Sequence, residues 1–543
     1  MRQIILSLAP VLMLAQTYPP GPQVLTFHSD IDDSDQPYAI YVPKHYEAAK
    51  KYPLVISLHG EGSNHRLDLR RVFGKGNLPR ETDAHAGRDF PQLKDVEFIV
   101  ASPFARGDMG YQGIPEKDVY DVLGDIKKRF SIDDDRVYLT GVSMGGGGAL
   151  WLALTHPDMW AAVAAVCPAA APGIEELSPN ALNLPVRLFQ GAIDPVVPVQ
   201  SMRHWNAILQ EAGARVEYTE YPRVRHNAWD SAYQDASIFD WLDQFRRNRF
   251  PERVRFVTDT YRYASEYWLK IDGLTPGTLA YIEARFDGPN QLAIQTRELT
   301  GFSLRLSGHP MYSSAKPLSV TIDGEKMKPG RSLSFSKGER GWQPAPYLIP
   351  AGHKRPGAEG PVSEAIAGRQ IYVYGTEAAD GDAEIKSRHE QARRAANWSA
   401  PHEPLALNFK VVSDREVESA PDATLVLFGV KETNAAIARI SSRLPLALNA
   451  SAADYGLLFL YPVDSHFVVV SSGLPWWTNA DEIRFPGPSF LPTPYRILLG
   501  LGDYVLFRGS LEHVVAAGRF TDDWKIPAPD AAKMKLTSAV EIK

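Results

Sequence analysis

Residues 23–250 predict an open α/β fold in which a mostly parallel sheet is flanked by helices, and three observations lead there. Runs that read as strands recur at 52–58, 136–140 and 185–191, and an alternating one at 216–221. Helical spacing fills the gaps, most plainly where Val119, Val122, Leu123, Ile126 and Phe130 would bury one stripe against a sheet. Each strand-like run also opens into a loop carrying glycines or a charged side chain, and that edge is where an open α/β sheet holds its ligands.

The run at 136–140 leads directly into Gly141-Val142-Ser143-Met144-Gly145 and then into the apparent start of a helix. A serine on such a tight strand-to-helix turn points its hydroxyl out of the sheet, and a Cβ two positions to either side would block the bend. The amide of Met144 sits at the positive end of the helix that follows, where an oxyanion would be stabilised. Ser143 is therefore the expected nucleophile.

A serine nucleophile needs a base and an orienting acid, and on this kind of frame they come later in the chain, acid first and then histidine. The strand-like run at 185–191 ends in Ala192-Ile193-Asp194-Pro195, which puts Asp194 on a loop at the sheet edge. The run at 216–221 leads into Pro222-Arg223-Val224-Arg225-His226, which offers His226 as the base. Capping of a helix near Val199 is the plain alternative for Asp194. Asp230 is the rival acid, although it lies only four residues beyond His226, which makes the orienting contact awkward. Upstream, the run at 52–58 leads into His59-Gly60-Glu61-Gly62, where a backbone amide of Gly60 or Glu61 would pair with that of Met144 as the second oxyanion donor.

With these elements in this order, the region resembles the α/β-hydrolase fold. More narrowly, it is similar to secreted serine esterases of the polyhydroxybutyrate-depolymerase and feruloyl-esterase type, which share their core with the prolyl-oligopeptidase catalytic domain. Most of the likeness lies in Asp118-Val119-Tyr120-Asp121, Phe130-Ser131-Ile132-Asp133 and Asp135-Arg136-Val137-Tyr138-Leu139-Thr140-Gly141. The resemblance implies hydrolysis through an acyl-enzyme, with no cofactor. It makes a small-molecule or polymeric ester the expected substrate, such as a plant-wall feruloyl or acetyl ester or a polyester-like material. A serine peptidase of the prolyl-oligopeptidase kind is the alternative, but only about 58 residues precede His59, too few for the β-propeller that gates those enzymes. A scaffold that binds without catalysis is the remaining reading, and the full set of catalytic elements argues against it.

A chain of 543 residues is too long for one core. Its net charge of −6 supplies no basic surface for nucleic acid. Met1-Arg2-Gln3 and the apolar run to Ala15 read as a secretory leader too short to span a bilayer, so the protein is expected to be secreted or periplasmic, without stable membrane insertion. Cys167 is the only cysteine, which excludes an intrachain disulfide, and its apolar surroundings mark it as an inert core residue. No cluster has zinc spacing, so no metal is expected.

Beyond the last helix expected for this domain, at 238–242, the pattern changes to strands alone, and 252–328 is expected to form a β-sandwich-like domain. A Pro/Gly-rich linker is expected at 329–368. A small α/β domain without a catalytic set is expected at 369–520, and it resembles the C-terminal extension of some exported bacterial esterases through Lys354-Arg355-Pro356-Gly357 and Leu427-Phe428-Gly429. Trp476-Trp477 reads as packing between domains, with stacking on a sugar as the functional alternative.

Overall fold

The computed structural model describes residues 18–329, 332–398, 407, 409–417, 423–464, 466–480 and 492–543. The expected leader at 1–15 lies outside these residues. No helix among the described residues is long and apolar enough to cross a membrane.

The N-terminal sheet has eight strands: β1 (Gly21–Ser29), β2 (Ser34–Val42), β3 (Tyr52–Leu58), β4 (Ile99–Pro103), β5 (Ile132–Val142), β6 (Ala162–Val166), β7 (Val186–Gly191) and β8 (Val216–Tyr221). Their spatial order is β1-β2-β4-β3-β5-β6-β7-β8. Strands β3 to β8 run parallel, while β2 pairs antiparallel with both β1 and β4. Near-continuous apolar runs are what a parallel sheet covered on both faces requires, and all seven residues of β3 are buried. Alternation then divides them: Leu54, Ile56 and Leu58 join the core under helix Ile114–Arg129, whereas Val55 faces the opposite core with Phe73, Phe239 and Trp241.

The chain runs from β3 out to β4 and then crosses back over β3 to β5, so the winding reverses between β3 and β5. A crevice opens at such a reversal because successive loops leave in opposite directions. The loop after β3 carries Gly60 and Glu61, and the turn after β5 carries Ser143.

Two five-stranded sheets follow, with residues such as Phe256, Ile271, Ile282, Phe302 and Phe335 filling one core. The sandwich extends past the expected boundary at 328, because Ser334–Gly338 pairs with Leu299–Leu304 and Gly341–Gln343 pairs with Ser334–Gly338. These strands are short and rich in Ser, Lys and Gly, so their period-two signal is weak and composition alone reads them as linker. The C-terminal region builds a seven-stranded mixed sheet whose core includes Val373, Leu427, Phe459 and Leu506. This domain also passes its expected end at 520, since Val540–Ile542 pairs antiparallel with Leu446–Leu448. Trp476 and Trp477 lie in the core cluster of this sheet, where Trp476 stacks on Phe428 and donates from Nε1 to the Pro494 carbonyl at 2.9 Å.

Polar contacts join the three parts. Tyr263 of the sandwich donates its hydroxyl to Glu116 of the first domain at 2.7 Å, and Arg262 pairs with Glu364 at 3.1 Å. Glu359 accepts from the amides of Tyr261 and Arg262, and burial pushes its carboxyl up to about 7 despite those donors.

Candidate active site

Strand β5 delivers Ser143 to the sheet edge with φ 53° and ψ −115°, a conformation an L-residue holds only when its surroundings impose it. Three backbone bonds do so: the Ser143 amide donates to the Val166 carbonyl at 2.9 Å, and its carbonyl accepts from Gly147 at 3.0 Å and Ala169 at 2.9 Å. The flanking glycines are required by space. A Cβ at position 141 would lie 2.2 Å from the Gly145 carbonyl oxygen, and one at position 145 would lie 2.1 Å from that of Leu58.

His226 Nε2 lies 2.8 Å from Ser143 Oγ, and His226 Nδ1 lies 2.7 Å from Asp194 Oδ2. The Asp194 side chain is fully buried and the His226 side chain is 19% exposed, so the acid is shielded while the imidazole meets the solvent side. Asp194 Oδ1 accepts from the amides of Val196 and Val197 at 2.8 and 3.0 Å, which fixes the carboxylate plane. Helix Val199–Glu211 is preceded by Pro198 and takes no side-chain cap, so Asp194 orders its own loop and leaves the helix start alone. Asp230 accepts from Asn227 Nδ2 at 2.8 Å, while the ring nitrogens of His226 are bonded to Asp194 and Ser143.

Met144 is the first residue of helix Met144–Thr155, where an amide has no intrahelical acceptor. The loop after β3 lies against it, since a Cβ on Gly60 would stand 3.4 Å from the Cβ of Ser143. Among the described residues, the amides of Gly60 and Glu61 donate to no protein acceptor. Burial and then Asp108 push the Glu61 carboxyl above its usual range.

Sequence reasoning missed the groups that hold this loop. Tyr111 donates its hydroxyl to the His59 carbonyl at 3.0 Å, and its ring fills the space where a Cβ on Gly148 would sit, 2.5 Å from Tyr111 Cδ2. One side chain thus braces the β3 loop against the second turn of the Ser143 helix. The ring nitrogens of His59 lie 2.9 Å from the carbonyls of Gly60 and Phe104. Tyr111→Phe is expected to lower kcat by up to about 10²-fold with KM nearly unchanged, because misplaced donors weaken only the transition state. Steady-state kinetics on a nitrophenyl ester would read that split.

The Trp229 ring stands 5.6 Å from that of His226 with the two planes near perpendicular, and the Arg71 guanidinium lies 5.0 Å over the Trp229 ring. Cys167 Sγ lies within 4.8 Å of the ligand atoms of Asp194 and His226, which raises the question of a metal. The arrangement argues against one, since burial pushes the thiol up to about 12, it donates to the His226 carbonyl at 3.2 Å, and the other two groups are bonded to each other.

Residues 120–240 match the family described as Phospholipase/Carboxylesterase, a stretch that includes the Ser143 turn, the Asp194 loop and His226. The N-terminal domain has the α/β-hydrolase fold. Similar solved structures include a thermostable esterase at 25% identity and TM-score 0.34, covering 42% of this chain and 63% of that one. A ferulic acid esterase of Anaeromyces mucronatus in complex with ferulic acid is 19% identical with TM-score 0.32, over 42% and 92% of the two chains. A fluorophosphonate-binding serine hydrolase of Staphylococcus aureus is 16% identical with TM-score 0.33, over 41% and 99%. The sandwich and the C-terminal sheet stand outside the α/β-hydrolase domain and add no residue to the Ser143 relay.

Proposed function

We propose that the protein hydrolyses carboxylic esters outside the cytoplasm through an acyl-enzyme on Ser143, with plant-wall feruloyl or acetyl esters or polyester-like material as substrate. The reading rests on one observation, the unbroken relay from Ser143 Oγ through His226 to a buried Asp194. Oγ attacks the ester carbonyl carbon as its proton passes to His226 Nε2. The negative charge then forms on the carbonyl oxygen, facing the amides of Met144 and of Gly60 or Glu61. Collapse breaks the bond to the alkoxy oxygen, which leaves as the alcohol with the proton from His226. Water, deprotonated by the same imidazole, then attacks the acyl-serine and frees the acid.

Turnover of a short-chain nitrophenyl ester by wild type and by Ser143→Ala tests the chemistry. A loss of about 10⁶-fold is expected, and equal rates would refute it. Methyl ferulate, acetylated xylan and a prolyl-peptide amide compared in one assay test the substrate class. Faster turnover is expected on one of the esters, and preference for the amide would overturn that assignment.

A further inference from the structure

A cavity of about 310 Å³ opens where all three parts of the chain meet, well away from Ser143. It borders Trp151, Leu154 and Thr155, which lie eight to twelve residues along the helix from Ser143, or about 12–18 Å at the α-helical rise. None of Ser143, Asp194 and His226 lines it.

Five polar side chains on its wall have no hydrogen-bond or ion-pair partner among the described residues: Gln112 and Glu176 at the exposed rim from the hydrolase domain, and deeper in Asp259 from the sandwich and Ser363 and Arg519 from the C-terminal region. Their neighbours are committed. Asn180 spends its amide on the carbonyls of Leu154 and Val257 and on the Val257 amide, and Glu364 pairs with Arg262. Asp259, Ser363 and Arg519 are half-buried, and the Arg519 guanidinium lies along the Gly277 turn, where a Cβ would meet its Nε at 2.7 Å. Leu177, Leu279 and the ring of Tyr263 add apolar wall.

We propose that this junction is a second binding site, for a short neutral saccharide. Size places it at the lower end of small-ligand sites. The unpaired groups select the chemistry: an anion drawn to Arg519 would face the carboxylates of Asp259 and Glu176, and a cation drawn to those would face Arg519. A molecule dense in hydroxyls donates to the carboxylates while it accepts from the guanidinium and the Gln112 amide, so every group is satisfied at once. Its C–H faces lie against the apolar wall. The occupant would touch all three parts of the chain, and the loop reaching the cavity at Pro172 and Gly173 begins beside Ala169, whose amide holds the Ser143 carbonyl.

Calorimetric titration of the full-length protein with xylobiose and cellobiose, and with citrate and putrescine as charged probes, tests the site. Saturable binding of at least one disaccharide is expected. Asp259→Ala and Arg519→Ala should each weaken it about 10-fold or more, as loss of a charged hydrogen-bond partner does. Ser363→Trp, which fills the cavity, should abolish it, and Ser143→Ala should leave it unchanged. This last arm separates the inference from the ester reading, since a protein inactive on every ester would still bind the sugar. Absence of binding by both disaccharides, affinities unaltered in all three cavity variants, or tighter binding of citrate or putrescine would overturn the proposal.

Discussion

Asp194→Asn is expected to keep the fold and lose about 10⁴-fold in kcat. Asp194 Oδ2 receives His226 Nδ1 at 2.7 Å and Gln190 Nε2 at 3.1 Å, while Oδ1 receives the amides of Val196 and Val197. In the variant, the carbonyl oxygen of Asn stays with the two loop amides, which leaves its NH₂ facing His226. That group donates to Nδ1 and forces the proton onto Nε2, so the imidazole can no longer accept the proton of Ser143. It also removes the negative charge that steadies the imidazolium as it forms. Asp230→Asn supplies the comparison, since its carboxylate bonds only to Asn227 among the described side chains and its loss should leave kcat within about two-fold. Nitrophenyl-ester kinetics on both variants decide the matter: similar losses in the two, or a loss confined to Asp230→Asn, would reassign the orienting acid.

Lys354→Met is expected to destabilise the protein by about 3–5 kcal/mol. Lys354 Nζ lies 2.6 Å from Asp503 Oδ2, with side-chain exposures of 1% and 0%. Burial pushes the ammonium below the usual lysine range, against the pull of Asp503. Asp503 Oδ2 also accepts from the Phe520 amide at 2.8 Å, but Oδ1 has no partner, so removal of the lysine leaves a buried and poorly solvated carboxylate. The cost comes from that stranded charge, and a Lys354→Met/Asp503→Leu double variant should regain most of the loss. Urea unfolding followed by tryptophan fluorescence would measure both. A double variant no more stable than the single one would mean that shape, and not charge, sets the cost.

The hydrolase domain was legible along the chain because its signals are local. Parallel strands buried on both faces leave apolar runs, and the strand–turn–helix around Ser143 needs glycine at 141 and 145 for reasons of space that act within five residues. Strand order along the sheet then brought Asp194 and His226 into view as loop residues at one edge. Boundaries beyond that domain were harder to read, since Ser334–Gly338 and Gly341–Gln343 owe their pairing to Leu299–Leu304 and not to their own pattern.

By itself the sequence determined that a serine hydroxyl would stand on a strained turn at the end of a parallel strand, followed by an acid and a histidine on later strand ends. Only the tertiary structure shows that Asp194, and not Asp230, is hydrogen-bonded to the His226 imidazole, because that contact depends on how β7 and β8 lie side by side. The brace from Tyr111 and the burial of the Lys354–Asp503 pair were likewise settled only in three dimensions. Each joins segments far apart in the chain, and a contact of that kind leaves no periodic trace in either partner.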